Sequence, residues 1–187
     1  MRIRRLLILT AGLFFAVTGT AGAQEAGKAG ITIAYPASIG VIWHATDTVA
    51  IRPAFSFAHN TSDVSTGPGE SDSANIALDL GVLFYLKKYD NVRTYVSPRF
   101  TYLRTTTTVT PNTTQTTQPE TRTITNGTGG AGTFGAQYSP SSRFSVYGEV
   151  GLAFSHRHTE VDSNPAAGSV KSNTWSTTSG VGVIVYF

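Results

Sequence analysis

The chain has 187 residues, 14 Lys and Arg against 11 Asp and Glu, and no cysteine. The missing cysteines exclude a disulfide framework, a thiolate metal site and a lipid-modified N-terminal cysteine. The charge excess lies in Arg2, Arg4 and Arg5; from residue 24 onward 11 cations face 11 anions, so the basic balance of the whole chain is no argument for a nucleic-acid partner.

Residues 1–23 read as a signal peptide. A basic start precedes an apolar run at 6–17, and Ala21-Gly22-Ala23 forms a small-x-small pattern, with cleavage expected between Ala23 and Gln24. The run is shorter than the roughly 20 residues a membrane-spanning helix needs. Residues 24–187 are expected to form one domain. They contain no long apolar run and no helical period. Short alternating segments separated by Gly, Asn, Asp, Ser and Pro indicate an all-β fold.

In chain order, residues 30–44 place Ile31, Ile33 and Tyr35, then Ile39, Val41 and Trp43, on one face. After a turn at Thr46-Asp47-Thr48, residues 49–59 place Val49, Ile51, Pro53, Phe55 and Phe57 together. Residues 60–73 are polar and read as a loop. Residues 74–87 align Ile76, Leu78, Leu80, Val82, Phe84 and Leu86. A short turn at Tyr89-Asp90-Asn91 leads to residues 92–105, with Val96, Pro98, Phe100 and Tyr102 on one face. A threonine-rich stretch, 106–126, follows. Phe134, Ala136 and Tyr138 share a face in 127–138, as do Phe144, Val146, Val150, Leu152 and Phe154 in 144–158. Residues 160–171 read as a loop. The closing strand, 172–187, puts Val181, Val183, Val185 and Phe187 on one face.

Short and long connections alternate, as in an outer-membrane barrel with short periplasmic turns. Taking 30–44 as one strand gives seven strands, and a bacterial single-chain barrel needs an even number. A hairpin at Pro36-Ala37-Ser38 makes eight, although the apolar alternation runs through Pro36 without a phase break. The predicted fold is an eight-stranded antiparallel up-and-down transmembrane barrel. Pro53 and Pro98 fall inside strands, where each removes a ladder donor.

The alternation also sorts the charges. Arg52, Asp79, Arg99 and Glu149 all oppose the apolar faces. A cation facing lipid near the midplane costs about 2–4 kcal/mol, so these four are expected to point inward. They are expected to pair in a lumen just wide enough for side chains, beside Tyr85, Tyr95, Gln137 and Tyr147. Trp43, Tyr138, Phe144 and Phe187 suit an aromatic girdle at the short-turn end.

The signal peptide, Val49-Ala50-Ile51-Arg52-Pro53 after Thr46-Asp47-Thr48, and Val183-Ile184-Val185-Tyr186-Phe187 together resemble the outer-membrane protein β-barrel domain family, whose small members include OmpX-, OmpA- and opacity-like eight-stranded barrels. The resemblance implies an outer-membrane location, contact with outer-membrane lipid, and handling by the barrel assembly machinery. Val181, Val183, Val185 and Phe187 look like the signal that machinery reads. Its usual second aromatic, two positions before the end, is replaced by Val185.

Chemical motifs are few. His156, His158 and Glu160 share a face at a strand end and have ligand types that suit zinc, but polar residues are ordinary at an outer rim, and no metal or other cofactor is assigned. Ser155 and His156 are neighbours and point to opposite faces, so they cannot form a nucleophile–base pair; no enzyme activity is expected. Residues 106–126, β-prone through their threonines, are expected to project from the membrane and to offer edges to an extracellular protein partner by strand addition. The expected role is structural or in surface interaction; the alternatives are a narrow pore for small solutes and an outer-membrane enzyme.

Overall fold

In a computed structural model, which describes residues 26–64, 69–110, 121–162 and 167–187, eight strands form one closed barrel in sequence order. They are β1 (Ala29–Tyr35), β2 (Ser38–His44), β3 (Val49–Val64), β4 (Gly69–Tyr89), β5 (Val92–Thr110), β6 (Thr121–Ser141), β7 (Phe144–Asp162) and β8 (Gly168–Tyr186). The expected signal peptide and its cleavage point at Ala23 and Gln24 lie outside the described residues.

Closure is antiparallel between β1 and β8, with Ile31 opposite Val185, Ile33 opposite Val183 and Tyr35 opposite Val181. The Phe187 amide continues the contact by donating to the Ala29 carbonyl at 3.2 Å. The chain turns at Pro36-Ala37, and β1 pairs with β2 from Ala34–Ser38 to Ala29–Trp43. Eight strands, not seven, therefore make the wall.

The register sets the tilt. Following paired residues from Ile33 through Ile39, Phe55, Leu78, Tyr102, Thr128 and His156 reaches Asn173, ten residues before Val183, the true partner of Ile33. That stagger gives strands inclined by about 40° to the barrel axis.

Side chains obey the alternation. Ile31, Ile33, Phe55, Leu78, Leu80, Phe100, Phe134, Val150, Leu152 and Val181 are exposed on the outer wall, while Ile42, Ala50, Leu83, Tyr95, Tyr147, Ile184 and Tyr186 are buried inside. An apolar exterior around a polar-lined interior is the pattern that lipid imposes, because a closed ladder satisfies every backbone group where water cannot.

Both in-strand prolines sit on the outer wall and interrupt one ladder each. Pro53 stays opposite Leu80, but the β2–β3 pairing breaks between Gly40–Ala54 and Trp43–Ile51. Pro98 stays opposite Gly132, but the β4–β5 pairing breaks between Gly81–Arg99 and Phe84–Val96. Each gap lies on the side where the proline has no N–H to give.

Residues 106–110 and 121–126 are strand, as their threonines implied. Two other polar stretches depart from expectation: residues 60–64 and 69–73, and 160–162 with 168–171, are strand, not loop. Ser, Thr and Asn occupy both faces there, so alternation vanishes although the ladders continue. By contrast β1 and β2 have only 7 residues each. Their shared hairpin ends low, and above it the outer parts of β3 and β8 face each other with no strand of the described residues between them.

This geometry yields a cross-linking prediction in a chain with no native cysteine. Ile33→Cys with Val183→Cys is expected to form an intramolecular disulfide in folded protein. Ser56→Cys with Thr178→Cys, placed across the gap, is expected to form none. Electrophoretic mobility after mild oxidation reads both outcomes.

Candidate functional site

The lumen is built from inward residues of all eight strands. At mid-height Arg52 (β3), Gly81 (β4) and Arg99 (β5) lie in one cross-strand row. Gly81 has no side chain, so the two guanidiniums pass over it to the opposite wall and meet Glu149 on β7. Arg52 Nη2 donates to Glu149 Oε2 at 2.7 Å, and Arg99 Nη2 donates to Oε1. The Arg52 and Glu149 side chains are only 5% and 4% exposed, so this contact belongs to the buried, charge-assisted class. Tyr95 adds its hydroxyl to Glu149 Oε2 at 3.1 Å, and the Tyr147 ring lies 4.6 Å from the Arg52 guanidinium carbon.

Two glycines make room for those rings. A Cβ on Gly135 would overlap the Tyr95 ring, and one on Gly182 would overlap Tyr147. The glycines scattered through β6 and β8 therefore act at these two points as sockets for tyrosines on the neighbouring or facing wall.

A second cluster fills the lumen toward the short turns. Tyr85 donates to Gln137 Oε1 at 2.9 Å, and the Gln137 amide nitrogen donates to Tyr186 Oη at 3.0 Å and Ser145 Oγ at 3.1 Å. His44 Nε2 lies 3.2 Å from Tyr186 Oη, and its ring stacks on Tyr85 with centroids 5.5 Å apart. Ile42, Leu83 and Ile184 are fully buried at this end, so polar and apolar side chains together pack the short-turn end of the lumen.

Of the four inward charges read from the sequence, the structure brings Arg52, Arg99 and Glu149 together and leaves Asp79 out. Asp79 sits one pleat outward, opposite Ala54 and Thr101, and accepts a hydrogen bond from Thr101 Oγ1 at 2.5 Å. Among the described residues it makes no ion pair. The cause is register: both guanidiniums are already drawn to Glu149, whose two oxygens take one each. His44 and Tyr186 were not among the inward residues read from the sequence. Their signal was parity, since both share the inward face of residues that were.

Val181, Val183, Val185 and Phe187 lie on the outer face of β8, and Trp43, Tyr138, Phe144 and Phe187 are exposed on the wall toward the short turns. At the outer rim His158 bonds Glu160 at 3.1 Å and His156 bonds Asn173 at 2.7 Å. No three-residue cluster suited to a metal occurs among the described residues.

No protein-family model and no curated protein matches the sequence. Solved structures do. A major outer membrane protein from Thermus thermophilus superposes with a TM-score of 0.60 at 13% identity, over 86% of this chain and 98% of that one. CarO2 of Acinetobacter baumannii gives 0.43 at 13% identity, over 86% and 97% of the two chains. Ail, the attachment invasion locus protein of Yersinia pestis, gives 0.42 at 13% identity, over 87% and 99%.

Removing one partner of a buried pair costs about 3–5 kcal/mol, so Glu149→Ala should lower unfolding stability by that order. Asp79→Asn, which breaks no ion pair, should change it by less than about 1 kcal/mol. Gly135→Ala, which overpacks Tyr95, should cost about 1–3 kcal/mol. Denaturant unfolding in lipid vesicles measures all three. With its closed ladder, apolar wall and polar plug, the chain has the fold of a small eight-stranded outer-membrane β-barrel.

Proposed function

We propose that this protein is an integral outer-membrane barrel that acts at the cell surface, through the part of its sheet that stands beyond the lipid. The observation that carries this reading is strand length. β4 and β6 have 21 residues each and β5 has 19, whereas roughly 9–11 tilted residues cross a bilayer. Pairing continues outward to Glu70 opposite Thr110 and Val109 opposite Thr121. The projection is therefore a hydrogen-bonded sheet rich in threonine, with the outer edges of β3 and β8 unpaired. Such edges accept an extended segment of another protein by strand addition, with main-chain hydrogen bonds giving affinity.

A pore is the weaker reading. Buried, mutually bonded side chains from Glu149 to Tyr186 stand across the lumen, so the purified protein is expected to give no defined conductance steps in a planar bilayer. Outer β5 and β6 are paired on both sides, so the edges expected at 106–126 lie instead on β3 and β8. For the surface reading, His59→Pro in β3 is combined with Asn173→Pro in β8, which removes an edge donor from each without breaking the β4 or β7 ladder. Binding to immobilised extracellular-matrix proteins is expected to fall at least tenfold, while heat-modifiable migration on a denaturing gel is retained. Unchanged binding would leave the protein with a structural role only.

A further inference from the structure

Above the plug the lumen opens into a cavity of about 380 Å³, with Arg52, Asp79, Arg99 and Glu149 at its base and Ser155 and Arg157 toward its mouth. Its side wall is incomplete. The tip of the β1–β2 hairpin, Tyr35 to Ser38, lines it, as do Ser179 and Gly180 of β8. Beyond the Tyr35–Val181 and Ile39–Phe55 pairs no strand among the described residues joins β3 to β8. Two strands are missing there, three interstrand spacings, so the gap is about 14 Å wide. Trp175, its ring packed against Phe154 at a tilt of 52° with centroids 5.1 Å apart, stands on the outer wall five residues above Gly180. The lower part of the gap thus lies beside lipid.

The charges at the base are unevenly satisfied. Arg52 is only 5% exposed, yet its Nη1 has no hydrogen-bond partner. Its Nη2 holds Glu149, and its face is covered by Tyr147. A guanidinium has five N–H donors, and a buried donor without an acceptor is unfavourable. On the adjacent strand, one pleat outward, the Asp79 carboxylate has a single neutral donor, Thr101, for about four acceptor sites. Arg52 faces Gly81 and Asp79 faces Ala54, so the two groups are diagonal neighbours on β3 and β4, roughly 7 Å apart at the backbone. One holds a buried, unpartnered cationic donor and the other free anionic acceptors, and both residues line the cavity.

We propose that this cavity binds a zwitterion. The ligand's anionic group accepts from Arg52 Nη1, with Arg99 beside it, and its ammonium donates to Asp79. An anion alone would approach the uncompensated Asp79, and a cation alone would approach Arg52, so each single charge meets one repulsion that the zwitterion turns into a second attraction. The same chemistry has two sources. A free amino acid would enter from the outer mouth. An ethanolamine phosphate head on a single acyl chain would enter sideways, its chain lying in the gap over Pro36 and Ala37. This site is independent of the surface reading above, since its charged groups, Arg52, Asp79 and Arg99, lie below the strand edges that reading uses.

The test is titration calorimetry on the full barrel in phosphatidylglycerol nanodiscs, with four probes: L-alanine, lysophosphatidylethanolamine, propionate and ethylamine. Either zwitterion is expected to bind saturably at one site, and both single-charge probes at least tenfold more weakly. Saturation by alanine assigns a free solute, and saturation by the lysolipid alone assigns a lipid head reaching through the gap. Asp79→Asn is expected to weaken the zwitterion at least tenfold with the thermal midpoint unchanged, because Asp79 holds no ion pair in the fold. Ala37→Trp, at the hairpin tip, is expected to weaken the lysolipid and spare alanine. Failure of both zwitterions to bind, propionate binding as tightly as alanine, or an Asp79→Asn protein that binds like the parent would overturn the assignment.

Discussion

The structure depends on one ladder, the antiparallel closure of β1 on β8. In lipid an open edge leaves N–H and C=O groups with no partner, each at a cost of several kcal/mol. Pairing of Gly30 to Tyr35 with Tyr186 to Val181 removes those edges within the apolar band. It also fixes the stagger, and the stagger decides which inward residues share a level. Arg52, Gly81 and Arg99 fall in one row facing Glu149 because of it. A shift of one residue at the seam would turn Tyr186 toward lipid and Val185 into the plug.

The plug follows from that level arrangement and from size. An eight-stranded barrel is filled by its own side chains, and here the filling is polar. Glu149 takes two guanidiniums and a tyrosine hydroxyl, and Gln137 gathers Tyr85, Tyr186 and Ser145 below. Nearly every buried polar atom in these two layers is satisfied, which is the condition for a polar core to rigidify the wall around it. The exceptions are Arg52 Nη1 and His44 Nδ1, both buried without a partner. Above Arg52, where the cavity begins, Asp79 holds a single neutral donor. The same barrel is thus closed below, receptive at mid-height and open along its side above the β1–β2 hairpin.

How much of this was legible in the sequence varies with the physics behind each feature. Outward apolar residues at every second position, as in Ile76 to Leu86, make the strands and their facing plain. The hairpin at Pro36-Ala37 was reached through strand parity, against a local pattern that runs on through it. The outer extents of β3, β4, β7 and β8 were not legible, because Thr, Ser and Asn on both faces give no alternation to read; that of β5 and β6 was, through the β propensity of their threonines. The inward facing of Arg52, Asp79, Arg99 and Glu149 followed from two-residue periodicity, but their partners did not. Which carboxylate faces which guanidinium depends on shear, a property of the closed ladder that no single segment carries. His44 and Tyr186 were missed for a related reason: each looked like the end of a strand, and only closure places them together.

The most direct test of the account is amide hydrogen exchange along β8, residue by residue, in lipid vesicles. Paired on both sides, Val181 to Tyr186 are predicted to show continuous protection. Paired only with β7, residues 169–179 are predicted to alternate, with every second amide exchanging readily. Alternating exchange that ran on through Val183 and Val185 would mean that β1 does not close the barrel, and would contradict the architecture on which the plug, the gap and the cavity all rest.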